Sequence, residues 1–119
     1  MGWTPKDKVH ELYIASDIYV IPSLWHEAFS ITTLEAMAAG LFIVASDRGG
    51  IVEILERYPR KIIIKDVSAI RLAAVLKNIV MRWDNLRLER KFCSHVISFD
   101  WYRITSKVEK LYKVVVNVS

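Results

Sequence analysis

Apolar residues in the first half of the chain follow two alternating patterns. Short continuous apolar runs, rich in β-branched residues, predict buried strands over 18–21, 41–45 and 61–64. Apolar residues at helical spacing predict helices over 6–15, 31–39 and 51–57. Buried strands that alternate with helices are typical of a parallel sheet with right-handed crossovers. The predicted fold class is therefore α/β, a Rossmann-like parallel sheet of about three strands with flanking helices.

Local signals predict where two of these helices begin and end. Thr4 before Pro5 indicates an N-cap followed by a proline in the first turn. Ser30 can cap the helix over 31–39, and Gly40 is expected to end it in a left-handed conformation. The loop between strand 18–21 and Ser30 follows a carboxyl strand end, where sheets of this kind bind their ligands.

The last third of the chain is predicted to be helical, over 69–80, 86–96 and 101–116. At 119 residues, the whole chain 1–119 is expected to form one domain. Three parallel strands are few for such a sheet, and strand 18–21 has an open edge unless something pairs with it. Either the chain is one piece of a longer protein, or a second copy closes that edge.

Composition places the chain among folded globular proteins, with 53% hydrophobic and 25% charged residues. No apolar run approaches the roughly 20 residues that cross a bilayer, so the cytoplasm is the expected location. The single cysteine, Cys93, cannot form an internal disulfide and is expected to be a buried apolar residue. No histidine spacing suggests a metal site, and no cofactor is expected.

The chain is mildly basic, with 17 Lys and Arg against 13 Asp and Glu and a net charge of +4. A solvated surface is the simplest interpretation, and the alternative is attraction to ligand phosphates or to anionic lipid head groups at a membrane surface. Nucleic acid is disfavoured as a partner, because the basic residues are scattered and no recognition element accompanies them.

The helix start at Ser30 is a candidate anion site. Such a start presents unpaired backbone N–H groups and a partial positive charge, which suits a phosphate or pyrophosphate. Glu27 lies just before this start and Glu35 about one turn inside it. Carboxylates displaced to either side of a diphosphate could accept hydrogen bonds from sugar hydroxyls. The amides that would form the cradle belong to Phe29, Ser30, Ile31 and Thr32.

Residues 27–40 read EAFSITTLEAMAAG, which resembles the E-x7-E signature of retaining GT-B glycosyltransferases of the glycogen synthase and mannosyltransferase-like group. Residues 15–23, ASDIYVIPS, resemble the family's alanine-aspartate strand that ends in Pro-Ser. Residues 49–53, GGIVE, resemble its GGxxE turn, and residues 101–112 resemble its closing helix. The resemblance covers most of the chain and implies the C-terminal, donor-binding part of such an enzyme.

The resemblance also implies roles for the candidate residues. Glu27 would contact the donor sugar, Glu35 the ribose of the nucleotide, and the amides from Phe29 to Thr32 the phosphates. The implied reaction transfers a hexose from an NDP-sugar, with retention, to an unidentified acceptor. Retention in this family is more often explained by front-side attack within an ion pair, so the catalytic role expected of Glu27 is positioning and electrostatic support.

Two departures from the family pattern change what this chain is expected to do alone. Ala28 and Ser30 stand where glycine is usual. The acceptor-binding domain and the first strands of the donor domain have no counterpart in these residues, so transfer is expected to need an acceptor-domain partner or a homo-oligomer. The alternative is a non-catalytic nucleotide-binding or assembly module of the same fold.

Each candidate also has a purely structural interpretation. Glu27 and Glu35 could be ordinary surface acids, and Glu53 is best explained as an acid that stabilises the dipole of its helix. His26 lacks an identified orienting partner, which makes it a weak candidate for a general base. Packing is the role expected of Trp25, Trp83 and Trp101. For Trp25, which borders the candidate site, the alternative role is stacking on a sugar.

Overall fold

The computed structural model of the chain describes residues 2–26, 30–87 and Lys113. Helices and strands alternate from α1 to α4, as the apolar pattern predicts, and a second helix follows α4 directly. In chain order they are α1 (Lys6–Ala15), β1 (Ile18–Ile21), α2 (Ile31–Ala38), β2 (Phe42–Ser46), α3 (Gly50–Leu55), β3 (Lys61–Ile64), α4 (Ala69–Met81) and α5 (Trp83–Leu86).

The three strands form one parallel sheet in the order β1-β2-β3. Val44 in the middle strand is the register partner of Val20 on one side and of Ile62 on the other. This arrangement confirms the predicted α/β, Rossmann-like fold class. Because the strands run in the same direction, their carboxyl ends lie at one edge of the sheet, the edge at which such sheets bind ligands.

The core consists of two apolar layers, one on each face of the sheet. Successive side chains of a strand point to opposite faces, and β2 follows this rule. Ile43 and Ala45 join the layer that contains residues of α2 and α3. Phe42 and Val44 join the other layer, with Ile79 of α4. β2 is therefore buried on both faces along its whole length.

The expectation that all three strands are buried is wrong for the outer two. Only Ile21 of β1 and Ile64 of β3 are buried, and the other residues of both strands are partly exposed. Within the described part of the chain each of these strands pairs with β2 alone, so one edge of each strand receives no cover from a neighbouring strand.

The signals for the ends of α2 are confirmed, and the signal for α1 is wrong. Ser30 is the N-cap of α2, and its side chain accepts a hydrogen bond from the Thr33 amide. Gly40 has a φ of 74°, a left-handed conformation that lacks a steric penalty only for glycine. At α1 the cap residue is Pro5, and no side chain caps the helix. Thr4 instead contacts the Gly2 carbonyl oxygen at 3.5 Å.

The predicted helix over 69–80 is confirmed as α4, whereas α5 was not predicted. Leu86 ends α5 and does not begin a new helix. The carbonyl oxygen of Leu86 accepts a hydrogen bond from the guanidinium of Arg60, a buried residue. The rest of the predicted helices 86–96 and 101–116 lies outside the described residues, except for Arg87 and the helical Lys113. Cys93 and Trp101 lie outside them too. Within the described segments, no helix is both long and apolar enough to cross a membrane.

Burial of β2 predicts a large difference between two isoleucine truncations. Ile43 is 0% exposed in β2, whereas Ile70 in α4 is 84% exposed. Ile43→Ala removes buried methyl groups and leaves a cavity, so we expect it to lower the free energy of unfolding by about 2–5 kcal/mol. Ile70→Ala should change it by about 0.5 kcal/mol or less. Urea unfolding of both variants measures the difference, and equal losses would contradict the packing of β2.

Candidate functional site

The candidate site lies at the carboxyl end of β1, where the chain passes through a loop to the N-terminus of α2. The hydroxyl of Ser46, at the end of β2, donates a hydrogen bond of 3.4 Å to the carbonyl of Ile21, the last residue of β1. This bond joins the ends of two neighbouring strands below the loop. Ser30, Ile31, Thr32 and Glu35 are among the described residues, whereas Glu27 and Phe29 lie outside them.

A chain of hydroxyl groups surrounds the start of α2. The Ser30 hydroxyl accepts from the Thr33 amide at 3.3 Å and lies 2.8 Å from the Thr33 hydroxyl and 3.3 Å from the Thr32 hydroxyl. The Thr32 hydroxyl shares a hydrogen bond of 2.7 Å with the hydroxyl of Tyr19. Ser30 and Thr33 are buried, whereas Thr32 is exposed. The chain of hydroxyls therefore runs from the interior to the surface.

This arrangement refines the predicted anion cradle. The first amides of a helix have no acceptor within the helix itself. Ser30 satisfies the amide of Thr33, which is not one of the four predicted cradle amides. Two of those four belong to Ile31 and Thr32, and neither amide has an acceptor among the described residues. As far as these residues show, both amides could donate to a ligand at the helix N-terminus.

Glu35 lies on the exposed side of α2, three residues after Thr32 and thus on the same face of the helix. Burial raises the pKa of Tyr13 in α1 well above its ordinary value near 10, and the carboxylate of Glu35 raises that pKa further. Glu35 therefore lies near the Tyr13 side chain.

Two tyrosines that the sequence patterns did not single out belong to this site. The rings of Tyr13 and Tyr19 lie 6.2 Å apart between centroids, with an interplanar angle of 49°. Both rings pack against the apolar layer formed with α2 and α3. Tyr13 was assigned only to the apolar face of a helix and Tyr19 only to a strand. No spacing rule could have indicated that the Tyr19 hydroxyl bonds to Thr32 of α2 or that the two rings lie together.

The family model for glycosyl transferases group 1 matches residues 1–91. The chain belongs to this family. Its match includes every element described above and both glutamates of the candidate site.

Several named relatives agree with this assignment. Spore coat protein SA of Bacillus subtilis is 32% identical over 114 residues, which cover 92% of this chain and 29% of the relative. Alpha-maltose-1-phosphate synthase of Mycolicibacterium smegmatis is 31% identical, over 93% of this chain and 30% of that protein. Phosphatidyl-myo-inositol mannosyltransferase of Mycobacterium leprae is 30% identical, over 85% of this chain and 27% of that protein. This group 1 chain thus spans less than a third of these relatives. No solved structure is significantly similar to it.

Four other residues that the sequence of this glycosyl transferase chain singled out differ in exposure: Glu53, Trp83, Trp25 and His26. Glu53 is exposed in the first turn of α3, as its dipole role requires. Trp83 packs against the layer formed with α4, which confirms its predicted packing role. The same prediction is wrong for Trp25, which is 82% exposed in the loop after β1 and next to the exposed His26.

Two other features of the described residues lie apart from the site. A cavity of about 220 Å³ opens where β2 and β3 begin, at the opposite edge of the sheet, and Phe42, Ile62, Ile79 and Leu86 line it. Within the described ranges, no group of three or more His, Cys, Asp or Glu could hold a metal ion. The residues named as lining this cavity do not belong to the start of α2.

Two serine caps of this chain provide a matched test of the hydroxyl chain. Ser30 caps α2, and Ser68 caps α4 by accepting from the Arg71 amide at 3.2 Å. Replacing a serine cap by alanine costs about 0.5–2 kcal/mol. We expect Ser30→Ala near the upper end of this range, because it also removes the partner of the buried Thr33 hydroxyl, and Ser68→Ala near the lower end. Chemical unfolding measures both, and a larger loss for Ser68→Ala would contradict the described network.

Proposed function

We propose that this chain is the nucleotide-sugar-binding part of a retaining glycosyltransferase, which transfers a hexose from an NDP-sugar to an acceptor. The observation that carries the proposal is the position of Glu35. Glu35 lies about one turn inside α2, the helix that follows the carboxyl end of β1. Membership of the glycosyl transferases group 1 family supports the class of reaction.

The pyrophosphate would bind at the start of α2. The Ile31 and Thr32 amides can donate to phosphate oxygens, and the helix dipole favours a negative charge there. The Thr32 hydroxyl, which Tyr19 holds at 2.7 Å, adds a further polar group at the exposed end of the hydroxyl chain. This part of the site needs no metal ion and no basic side chain from the described residues.

The ribose would bind to Glu35. A carboxylate has two oxygens and can accept several hydrogen bonds, so the exposed Glu35 can accept from the 2′ and 3′ hydroxyls of a ribose. Since Thr32 and Glu35 share one face of α2, a nucleotide that places its phosphates at the helix start can extend along this face. The geometry therefore suits a nucleoside diphosphate better than a free phosphate.

Glu27 is proposed, from the resemblance to the E-x7-E motif, to contact the transferred sugar. In this proposal its negative charge supports the positive charge that develops on the sugar as the leaving diphosphate departs. The acceptor attacks from the side of the departing diphosphate, and a phosphate oxygen takes the acceptor proton, which gives retention without a covalent intermediate on Glu27.

Transfer is proposed to require further protein that binds the acceptor, because the chain spans less than a third of its relatives, 29% and 30% in two cases. That protein could be an acceptor domain or a second copy of this chain. Among the described strands, β1 pairs only on its β2 side, which leaves the other edge as the place for such a partner. Peripheral contact with a membrane and a cytoplasmic location stay predictions.

Calorimetry with uridine, guanosine and adenosine diphosphates tests the ribose contact. Hydrogen bonds to a charged group contribute about 1.5–3 kcal/mol, so Glu35→Ala should weaken binding of the preferred diphosphate by about tenfold or more. Glu56→Ala, which removes an exposed acid at the end of α3, should leave affinity unchanged. The 2′-deoxy form of the nucleotide should bind the wild type more weakly than the ribonucleotide does. Its affinity should fall little further in Glu35→Ala. Equal affinities of wild type and Glu35→Ala for the diphosphate would contradict the proposed contact between Glu35 and the ribose.

A comparison of two ligands tests the role of Glu27. Glu27→Ala should weaken binding of the NDP-sugar by about tenfold, since the variant loses hydrogen bonds between a carboxylate and sugar hydroxyls. The same variant should bind the corresponding NDP as the wild type does, because the NDP carries no hexose. Glu56→Ala again serves as the control for loss of one negative charge. A parallel loss for both ligands would place Glu27 away from the sugar.

Turnover separates the proposed function from its rival, the non-catalytic module. Transfer or hydrolysis of an NDP-sugar, measured for this chain with and without an added acceptor-domain protein, supports the glycosyltransferase. Tight nucleotide binding by a stable homodimer, with no turnover under either condition, would favour the assembly module.

A further inference from the structure

We propose that Tyr19 is a positioning residue for the diphosphate of the donor: its hydroxyl donates a hydrogen bond to the Thr32 hydroxyl, whose own proton is then left for a phosphate oxygen. This inference rests on the proposed function, since it deepens the phosphate contact given to Thr32. Tyr19 lies in β1, outside the segment between Glu27 and Glu35 that carries the motif. The contact between the two hydroxyls therefore brings a residue from a different element to the site.

The contacts between hydroxyl oxygens at the start of α2 differ in length. The Tyr19 and Thr32 oxygens are 2.7 Å apart and the Ser30 and Thr33 oxygens 2.8 Å apart, whereas those of Ser30 and Thr32 are 3.3 Å apart. Hydrogen bonds between hydroxyl groups in proteins are mostly about 2.5–3.0 Å long. The first two contacts are ordinary hydrogen bonds, and the third is a weak one. The Thr32 hydroxyl is therefore bonded chiefly to Tyr19.

The direction of the bond between Tyr19 and Thr32 decides which proton is available to a ligand. Each hydroxyl group carries one proton. A phenol is a stronger donor than an aliphatic alcohol, and its oxygen is a weaker acceptor because one lone pair is delocalised into the ring. Tyr19 therefore donates and Thr32 accepts. The proton of the exposed Thr32 hydroxyl is left with the 3.3 Å contact to Ser30.

A phosphate oxygen can replace this weak contact between Thr32 and Ser30. Hydrogen bonds to a charged acceptor are shorter and roughly twice as strong as those between neutral groups. The Ser30 hydroxyl would lose its 3.3 Å contact to Thr32 and keep its bonds to the amide and the hydroxyl of Thr33. The cap of α2 therefore stays in place when the Thr32 proton turns to the ligand.

Packing holds the Tyr19 ring in place, so its hydroxyl can orient an exposed neighbour. The ring packs against the apolar layer formed with α2 and α3, and its centroid lies 6.2 Å from that of the Tyr13 ring. The strand register sets Tyr19 beside Ile43, which is fully buried. A threonine in a helix divides between two rotamers, and the bond from Tyr19 favours one of them at Thr32. A hydroxyl that is oriented before the ligand arrives loses less conformational entropy on binding.

A double-mutant cycle measures the positioning effect, by calorimetry with the preferred nucleoside diphosphate. Tyr19→Phe keeps the ring and removes the hydroxyl, and we expect it to weaken binding about twofold to tenfold. Thr32→Val keeps the shape of the side chain and removes its hydroxyl. In the Thr32→Val background, Tyr19→Phe should cause no further loss, because the group that it positions is gone. Equal losses in both backgrounds, or tighter binding by Tyr19→Phe, would overturn the inference.

Two controls separate loss of positioning from loss of stability. Tyr58→Phe removes a hydroxyl that is bonded at 2.6 Å to the carbonyl of Leu41 in the buried core, so it should lower the free energy of unfolding and leave diphosphate affinity unchanged. The matching nucleoside carries no phosphate and should bind wild type and Tyr19→Phe equally. A similar loss of diphosphate affinity in Tyr58→Phe, or a loss of nucleoside affinity in Tyr19→Phe, would mean that a general change in the fold explains the results and would refute the role of Tyr19.

Binding by the wild type distinguishes failure of the proposed function from failure of the role given to Tyr19. If the wild type binds no nucleoside diphosphate, the proposed function fails and the role of Tyr19 fails with it. If the wild type binds the diphosphate and Tyr19→Phe binds it equally well, the nucleotide site stands and Tyr19 has no part in it. A loss in Tyr19→Phe that depends on the Thr32 hydroxyl and on the phosphates of the ligand supports the positioning role.

Discussion

The backbone of β2 pairs in parallel with β1 on one side and with β3 on the other, and the side chains of β2 are buried on both faces. Parallel strands need a crossover between them, and here α2 and α3 provide the two crossovers. Each crossover helix then begins near the carboxyl end of the preceding strand. The N-terminus of α2 consequently lies at the ligand-binding edge of the sheet, and the position of every candidate residue follows from this pairing.

The start of α2 combines two demands that compete for the same backbone groups. A stable helix needs partners for its first amides, whereas an anion site needs those amides to be free. Ser30 meets the first demand at Thr33 and leaves Ile31 and Thr32 for the second. The two threonines differ in the same way, since Thr33 is buried and Thr32 is exposed. Helix stability and the proposed ligand binding would thus depend on different members of one chain of hydroxyl groups.

Family membership and geometry limit the function in different ways. The match to glycosyl transferases group 1 covers residues 1–91 and identifies the family, and the site geometry indicates which groups could hold a nucleotide. The chain spans less than a third of the length of these relatives. Among the described residues, β1 pairs only with β2, and Trp25 in the loop that follows β1 is exposed.

The sequence by itself determined the order of the elements, the parallel sheet, the serine cap and left-handed glycine of α2, and the placement of Glu35 near a helix start. These properties depend on residues close together in the chain, through apolar periodicity and the chemistry of helix ends. Tertiary structure alone decided that β1 and β3 are only partly buried and that Trp25 is exposed. It also brought the Tyr19 hydroxyl to Thr32 and placed Tyr13 near enough to Glu35 for the carboxylate to raise the pKa of the tyrosine. Those contacts depend on how α1, β1 and α2 pack together, and no local pattern encodes the distance between side chains on separate elements.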